Sequence, residues 1–178
     1  MGDRTGMSID KEYALATSYG FAMDKDEFYR QYDEQAMLIY AKSTITKDID
    51  LLLRTLKGMG FTLGIVSASR KIWIDHVLPR ISSRDLFDYV LSLNERKDLR
   101  PKPHPDGYLA ALKALHASPQ STIILEDSNS GITAAKAAGA FTIAFTQHLV
   151  SGYMQIEADA KAADVFEILE IVTRVAKE

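Results

Sequence analysis

The chain has 178 residues, of which 47% are hydrophobic and 25% charged, which is typical of one globular protein with a substantial core. Its net charge of -3 argues against a general nucleic-acid or anionic-membrane binder, and the absence of cysteine excludes disulfides and a thiol nucleophile. No apolar run reaches the roughly 20 residues of a membrane span and no signal peptide is evident, so we expect a soluble, cytoplasmic protein.

The first part of the chain is predicted to be helical. Residues 9–41 are rich in tyrosine, methionine and charged residues and contain no proline. They therefore predict two or three amphipathic helices, broken near 18–20. We place a domain boundary after this part, with residues 1–43 as a small helical unit and residues 44–178 as a second domain.

In the second part, helices alternate with short apolar strands. Thr46 is predicted to cap the first of these helices. This alternation predicts an α/β fold, in which a parallel sheet is covered by helices on both faces and functional groups gather beyond the carboxyl ends of the strands. The predicted strands are 61–66, 89–93, 122–125, 141–145 and a short one near Val165, and the predicted helices contain 49–56, 70–78, 105–116, 131–138 and residues from about 167 onward.

Two polar residues follow predicted strands or lie in stiff loops. Ser67 offers a hydroxyl and backbone N–H groups at a helix start, which suits a phosphate group, although a serine there also serves as an ordinary helix cap. Lys102 lies between two prolines, which stiffen the loop and favour a lysine that reaches one charged point. A solvated loop lysine is the alternative.

The adjacent acids Glu126 and Asp127 end the strand 122–125. Neighbouring residues of a strand point to opposite faces, so the pair can share one ligand only where the chain turns. Mg²⁺ is held by one or two carboxylates together with water and phosphate oxygens, which such a turn could supply. Alternatively, Asp127 or Ser128 caps the following helix and Glu126 is solvated.

The order of these clusters resembles the haloacid dehalogenase superfamily of phosphohydrolases. Its second, third and fourth motifs resemble VSASRK at 66–71, KPHPDGYLAAL at 102–112 and ILEDSNSGITAAKAAG at 124–139, the last being the most specific. The residues of the second and third motifs are most similar to those of the β-phosphoglucomutase and phosphoglycolate phosphatase branch. The resemblance implies a Rossmann-like three-layer parallel sheet, with a small helical cap that corresponds to 1–43.

The resemblance also implies roles for these residues. Ser67 and Lys102 are the expected catalytic residues that bind the transferring phosphoryl group, and Ala68 would donate a backbone N–H to it. Glu126 and Asp127 would anchor a Mg²⁺ cofactor. The expected partner is a small phosphorylated metabolite, rather than nucleic acid or a membrane.

In the mutase branch that the sequence resembles, the residues directly after the phosphoryl-binding pair that corresponds to Ser67 and Ala68 also contact a second phosphate. Ser69, Arg70 and Lys71 are therefore further candidates for contacts with substrate phosphate. Arg4 falls where such caps place a substrate-facing residue, although a solvated terminal arginine is an alternative.

The first motif of the superfamily, an apolar strand that ends in Asp-x-Asp, has no expected counterpart in the chain. Its candidates, Asp3-Arg4-Thr5 and Asp24-Lys25-Asp26, follow no apolar strand, and the second lies in helical sequence as a solvated face. The first strand of such folds is central and carries the aspartate that attacks phosphorus. We therefore expect two unpaired strand edges of buried character and an isolated chain without activity. Either the two neighbouring strands close on each other, or a partner chain fills the gap, for which a homo-oligomer through the incomplete sheet is the candidate, or the fold is less stable than its family.

These features leave three candidate functions. The favoured one is a Mg²⁺-dependent phosphomonoester hydrolase or sugar phosphomutase. The alternative is a non-catalytic phosphate-binding or regulatory module. A phosphoacceptor receiver domain also has a Ser or Thr followed by Lys-Pro, but its acidic pair precedes both, whereas Glu126 and Asp127 follow them.

Overall fold

The structure is a computed structural model that describes residues 9–177. The elements in this part of the chain are helices α1 (Ile9–Ser18), α2 (Lys25–Lys42), α3 (Ile49–Gly58), α4 (Lys71–Val77), α5 (Asp106–Ala114), α6 (Asn129–Ala137) and α7 (Val165–Val175), and strands β1 (Gly64–Ser67), β2 (Tyr89–Ser92), β3 (Ile123–Glu126), β4 (Phe141–Phe145) and β5 (Ala160–Ala162).

The strands form two parallel sheets. Strand β1 pairs with β2, and the order in the second sheet is β3-β4-β5. The last residues of β1 and β2 lie opposite each other, Ser67 with Ser92, whereas Glu126 at the end of β3 lies opposite Ala144, one residue before the end of β4. Between residues 9 and 177 no strand joins β1 to β3, so these two edges do not close on each other.

Helices cover both faces of the larger sheet. Ile123 and Leu125 of β3 pack into a core built with α3 and α7, whereas Ile124 packs with α5 and α6. Alternate residues of one strand therefore enter opposite cores, as expected for a buried parallel strand. The predicted three-layer α/β fold is confirmed.

Helix caps explain several element boundaries. The Ser128 hydroxyl accepts a hydrogen bond from the Gly131 N–H at 3.0 Å and starts α6. Asp164 caps α7, so Val165 begins a helix and the predicted strand near it was wrong by a few residues. The predicted cap at Thr46 was also wrong, because Asp48 precedes α3.

Strand β1 begins later than predicted. The Leu63 N–H donates to the Asp88 carboxylate at 2.8 Å, and the Leu63 carbonyl accepts from the Asp88 N–H at the same distance. These bonds occupy the backbone before the ladder with β2 begins at Gly64. The strand therefore covers 64–67 instead of 61–66.

The N-terminal helices make contacts with each other and with α4. Tyr13 of α1 and Phe28 of α2 have ring centroids 5.2 Å apart, and the Tyr13 hydroxyl donates to the Met23 carbonyl at 2.9 Å. Helix α2 then packs along α4. The boundary after residue 43 stays a prediction.

A cleft of about 700 Å³ separates the two sheets. Its walls are the edges of β1 (Gly64–Val66) and β3 (Ile123–Glu126), with Leu52 of α3, Leu112 of α5 and Ile168 of α7 around them. The lining is largely apolar, so the cleft continues the core between the helical layers. Among the helices of residues 9–177, none combines the length and the hydropathy needed to cross a bilayer.

Candidate phosphoryl and metal site

Lys102 lies between the carboxyl ends of two strands that belong to different sheets. Its ammonium donates to the Val66 carbonyl of β1 at 3.1 Å and forms an ion pair with Glu126 of β3. The Lys102 side chain is only 10% exposed. Lys102, which stands between Pro101 and Pro103, therefore places a positive charge where the cleft meets the ends of the strands.

Glu126 is a buried carboxylate with three hydrogen-bond donors. It accepts from the Lys102 ammonium, from the Tyr108 hydroxyl and from the Ser128 hydroxyl, the last at 3.2 Å. A buried charge is tolerated when it is paired and hydrogen-bonded in this way. The alternative that Glu126 is solvated is therefore wrong.

Gly131 makes room for this carboxylate. A Cβ atom built at position 131 would overlap the carboxyl group of Glu126. Ser128, which caps α6, also donates to the same carboxylate, so the helix start and the acidic residue form one unit. The spacing of glutamate, serine and glycine in 126–131 follows from this packing.

Tyr108 is a site residue that the sequence analysis missed. Its side chain is buried, and its hydroxyl donates to Glu126 while the Lys102 ammonium lies 4.9 Å from the ring centroid. Burial, followed by the negative charge of Glu126, raises the pKa of Tyr108 well above its usual range. The hydroxyl therefore remains a donor. The available signal was a tyrosine on the otherwise apolar side of α5.

Asp127 has an exposed side chain beyond the end of β3. Partial desolvation of its carboxylate raises its pKa above the ordinary value, and the charge of Glu126 adds to this shift. Its carbonyl accepts a hydrogen bond from the Gln155 amide at 2.8 Å, which fixes the turn. The capping residue of α6 is Ser128 rather than Asp127.

The carboxylates of Glu126 and Asp127 are suitable ligands for a hard cation, but they would fill only part of its coordination shell. In residues 9–177 no three acidic, histidine or cysteine side chains come together as a metal cluster. Mg²⁺ needs only one or two protein carboxylates when water and phosphate oxygens complete its shell. The oxygen-only set of Glu126 and Asp127 therefore fits this ion.

The loop after β1 is held in place by serine hydroxyls. The Ser67 hydroxyl accepts from the Ser69 N–H at 3.1 Å, and the Ser92 hydroxyl donates to the Ser69 carbonyl at 2.8 Å. Ala68 lies half-buried between the two loop serines. Helix α4 begins only at Lys71, so the alternative of Ser67 as a helix cap was wrong.

The two cations at the start of α4 are engaged by carboxylates. Arg70 forms an ion pair with Asp33 of α2, and Lys71 forms one with Asp75 at 2.6 Å. Their contacts with phosphate, like the roles of the other site residues, stay predictions. Asp24 caps α2 by accepting from backbone N–H groups, and Arg4 lies outside the described residues.

Comparison with curated proteins finds phosphatases and a phosphomutase. The validoxylamine A 7'-phosphate phosphatase of Streptomyces hygroscopicus subsp. limoneus is 30% identical over 144 residues, which cover 80% of this chain and 66% of that protein. The β-phosphoglucomutase of Bacillus subtilis (strain 168) is 29% identical over 133 residues, which cover 74% of this chain and 57% of that protein. The chain thus spans less than two thirds of the length of these relatives.

Solved structures share the fold. The β-phosphoglucomutase from Clostridium difficile superposes with a TM-score of 0.77 at 24% identity, covering 98% of this chain and 79% of that chain. A predicted phosphoglycolate phosphatase from Haemophilus somnus 129pt gives a TM-score of 0.74 at 21% identity, covering 88% of this chain and 72% of that chain. Residues 5–145, which include every candidate site residue except Arg4, match the family model of haloacid dehalogenase-like hydrolases. The chain belongs to the haloacid dehalogenase-like hydrolase family.

Proposed function

We propose that the chain forms the core of a Mg²⁺-dependent phosphomonoester hydrolase or sugar phosphomutase. Ser67 and Lys102 bind the transferring phosphoryl group, and Glu126 with Asp127 holds the metal ion. The observation that carries this proposal is the position of Lys102, whose ammonium joins the Val66 carbonyl at the end of β1 to Glu126 at the end of β3. The substrate is a small phosphorylated metabolite.

Phosphoryl transfer needs groups that neutralise the charge on the phosphoryl oxygens. The Lys102 ammonium and the Ser67 hydroxyl are donors of this kind, and the loop that holds Ser67 is fixed by hydrogen bonds of Ser69 and Ser92. When bound, Mg²⁺ supplies Lewis-acid stabilisation of the same oxygens. Tyr108 orients the Glu126 carboxylate toward this cluster.

The nucleophile is proposed to enter through the cleft. None of the strands in residues 9–177 ends in an aspartate, and Asp127, which directly follows β3, is assigned to the metal. The cleft exposes two parallel strand edges with an apolar lining, and an extended segment can pair with such edges through its backbone. We propose that an apolar strand carrying the nucleophilic aspartate occupies it, and that residues 9–177 without this strand do not hydrolyse phosphate esters.

The strand can come from the same polypeptide or from another molecule. The homo-oligomer predicted from the incomplete sheet is one version, in which a second copy covers the edges of β1 and β3. An apolar segment of about five residues would span the length of β1 or β3 at roughly 3.3 Å per residue. Size measurement in solution distinguishes a second copy from a single chain.

The proposal is tested by assaying phosphate-ester hydrolysis with Mg²⁺, using the chain alone and the chain joined to an apolar strand that ends in two alternating aspartates. We expect turnover only with the added strand, and a Lys102→Met version should lose it. Failure of every phosphate ester to react in the joined protein would contradict the enzyme proposal.

A non-catalytic phosphate-binding module is the second candidate. It is favoured by the fact that Lys102, Glu126 and Tyr108 are mutually satisfied in the absence of an attacking group. This candidate predicts phosphate binding by a stably folded chain, with no turnover even after the strand is added. Failure of the chain to fold stably would eliminate it. The receiver domain is not retained, because the family match covers residues 5–145.

A further inference from the structure

Helix α2 is fastened to α4 by an aromatic contact. Trp73, the single tryptophan of the chain, lies on α4. Its ring stacks on Tyr32 at 5.7 Å between centroids and lies 5.9 Å from Tyr40, and both tyrosines belong to α2. Helix α2 is therefore packed on α4, the helix that follows Ser67 and the loop after β1.

Asp33 lies beside this contact and connects it to Arg70. One carboxylate oxygen accepts from the Trp73 indole N–H at 2.9 Å, and the other accepts from the Arg70 guanidinium. The side chains of Asp33 and Arg70 are 21% and 25% exposed, so solvent screens the pair only in part. The ring of Tyr29 lies 5.6 Å from the guanidinium carbon and supports its position.

Arg70 lies three residues after Ser67 in the loop that leads from β1 to α4. A guanidinium binds phosphate and carboxylate with the same fork of N–H groups. The Arg70–Asp33 pair uses Nη1. An anionic group that reaches this loop would therefore compete with Asp33 for a cation that Asp33 already neutralises.

We propose that Asp33 is a positioning residue whose ion pair with Arg70 holds the loop after β1 against α2, and that an anionic group of the substrate breaks this ion pair by binding the guanidinium. We call the Asp33–Arg70 pair the latch. The proposal rests on the phosphate site described above. Asp33 then lowers the affinity for anions, because its negative charge opposes theirs and its ion pair must be broken. The fluorescence emission of Trp73 should change when this ion pair breaks, because its indole N–H is hydrogen-bonded to the same carboxylate.

The test uses inorganic phosphate and the whole chain with Mg²⁺ present. Calorimetry gives the Kd, and the emission of Trp73 gives the state of the latch. Asp33→Asn keeps the shape of the side chain but removes its charge. Glu34→Gln is the matched control, because Glu34 is the next residue along α2 and pairs with Arg30 on an exposed surface.

We expect phosphate to change the Trp73 emission of the wild-type chain. Asp33→Asn should bind phosphate roughly threefold more tightly or better, since it removes the negative charge that pairs with Arg70 and opposes the anion. Glu34→Gln should behave like the wild type. Equal or weaker binding by Asp33→Asn, or phosphate binding without any emission change in the wild type, would overturn the latch.

A second variant covers the case in which Asp33→Asn does not fold. Arg70→Gln should still bind phosphate through Ser67 and Lys102, but its emission should no longer respond. A response that persists in Arg70→Gln contradicts the latch and leaves the phosphate site intact. Absence of phosphate binding in the wild type and both variants would overturn the proposed site together with the latch.

Discussion

At the scale of single residues, the position of Glu126 depends on the absence of a side chain at Gly131. The carboxylate occupies the space that a Cβ atom would take, and it is held there by donors from α5, α6 and the Lys102 loop. A buried carboxylate needs both the space and the hydrogen-bond donors. Small changes in this cluster should therefore affect stability and binding together.

Gly131→Ala is expected to destabilise the fold by about 1–3 kcal/mol, because the added methyl group displaces a buried carboxylate. It should also weaken the binding of phosphate in the presence of Mg²⁺. Urea unfolding and calorimetry measure the two effects. Gly58→Ala is the control, since a Cβ atom there meets nothing within 4 Å, and equal stability of the two variants would contradict the packing argument.

Lys102→Met should destabilise the fold by about 3–5 kcal/mol, because it leaves Glu126 buried without a cation. Adding Glu126→Gln to this variant should recover part of the loss, since the unpaired charge is then absent. Chemical denaturation of the two single variants and the double variant gives the coupling energy. Strictly additive effects would show that the ion pair does not stabilise the fold.

Sequence order alone could predict that Lys102 and the acidic pair meet, because both follow the carboxyl ends of parallel strands. It could not predict Tyr108 or Asp33. Tyr108 lies on the apolar side of α5, and although a hydroxyl there is a signal, the periodicity does not indicate that it reaches Glu126. Asp33 looked like one of many acids on a charged helix, and its contact with Arg70 depends on the packing of α2 on α4.

At the scale of elements, an ion pair closes the loop that presents Lys102. The Asp106 carboxylate at the start of α5 accepts from the Arg100 backbone N–H at 3.0 Å and from its guanidinium at 2.8 and 2.9 Å. The Arg100 guanidinium lowers the pKa of Asp106 to about 2. The bonds tie the two ends of the segment that contains Lys102 to each other.

This pair predicts a specific dependence of stability on pH. Because the folded-state pKa of Asp106 is depressed from 3.8 to about 2, its ionised form stabilises the fold above pH 3.8, and the contribution disappears as the pH falls toward about 2. The wild type should therefore exceed Asp106→Asn in free energy of unfolding at neutral pH, with a difference that shrinks on acidification. A difference that is independent of pH would contradict this account.

Element boundaries could be predicted less well than element types. Strand β4 agrees with its predicted range, whereas β1 starts later because the Asp88 carboxylate captures the backbone at Leu63. The start of α7 was missed because Asp164, rather than the apolar pattern, sets it. For β1 and α7, a polar side chain that is not part of the apolar pattern decided where the element begins.

At the scale of the whole molecule, the central feature is a sheet in two parts with a cleft between them. The alternation of strands and helices was sufficient to predict a parallel α/β fold. Whether β1 and β3 close on each other could not be predicted, because it depends on how α3, α5 and α7 pack around the gap. The structure keeps them apart, which leaves room for an added strand.

The cleft predicts unequal protection of backbone amides. Strand β4 lies between β3 and β5, so its N–H groups should exchange with solvent more slowly than those of β1, which pairs on one side only in residues 9–177. Joining an apolar strand to the chain should slow exchange in β1 and β3 and leave β4 almost unchanged. Hydrogen exchange read by NMR measures this, and unchanged rates in β1 and β3 would contradict strand insertion.

If Ser67, Lys102, Glu126 and Asp127 form one phosphoryl and metal site, titration of inorganic phosphate with and without Mg²⁺ will reveal it. We expect Mg²⁺ to tighten phosphate binding by roughly fivefold or more, and phosphate to tighten Mg²⁺ binding by the same factor. Asp127→Asn should remove this coupling. Phosphate affinity that is indifferent to Mg²⁺ in the wild-type chain would contradict the account.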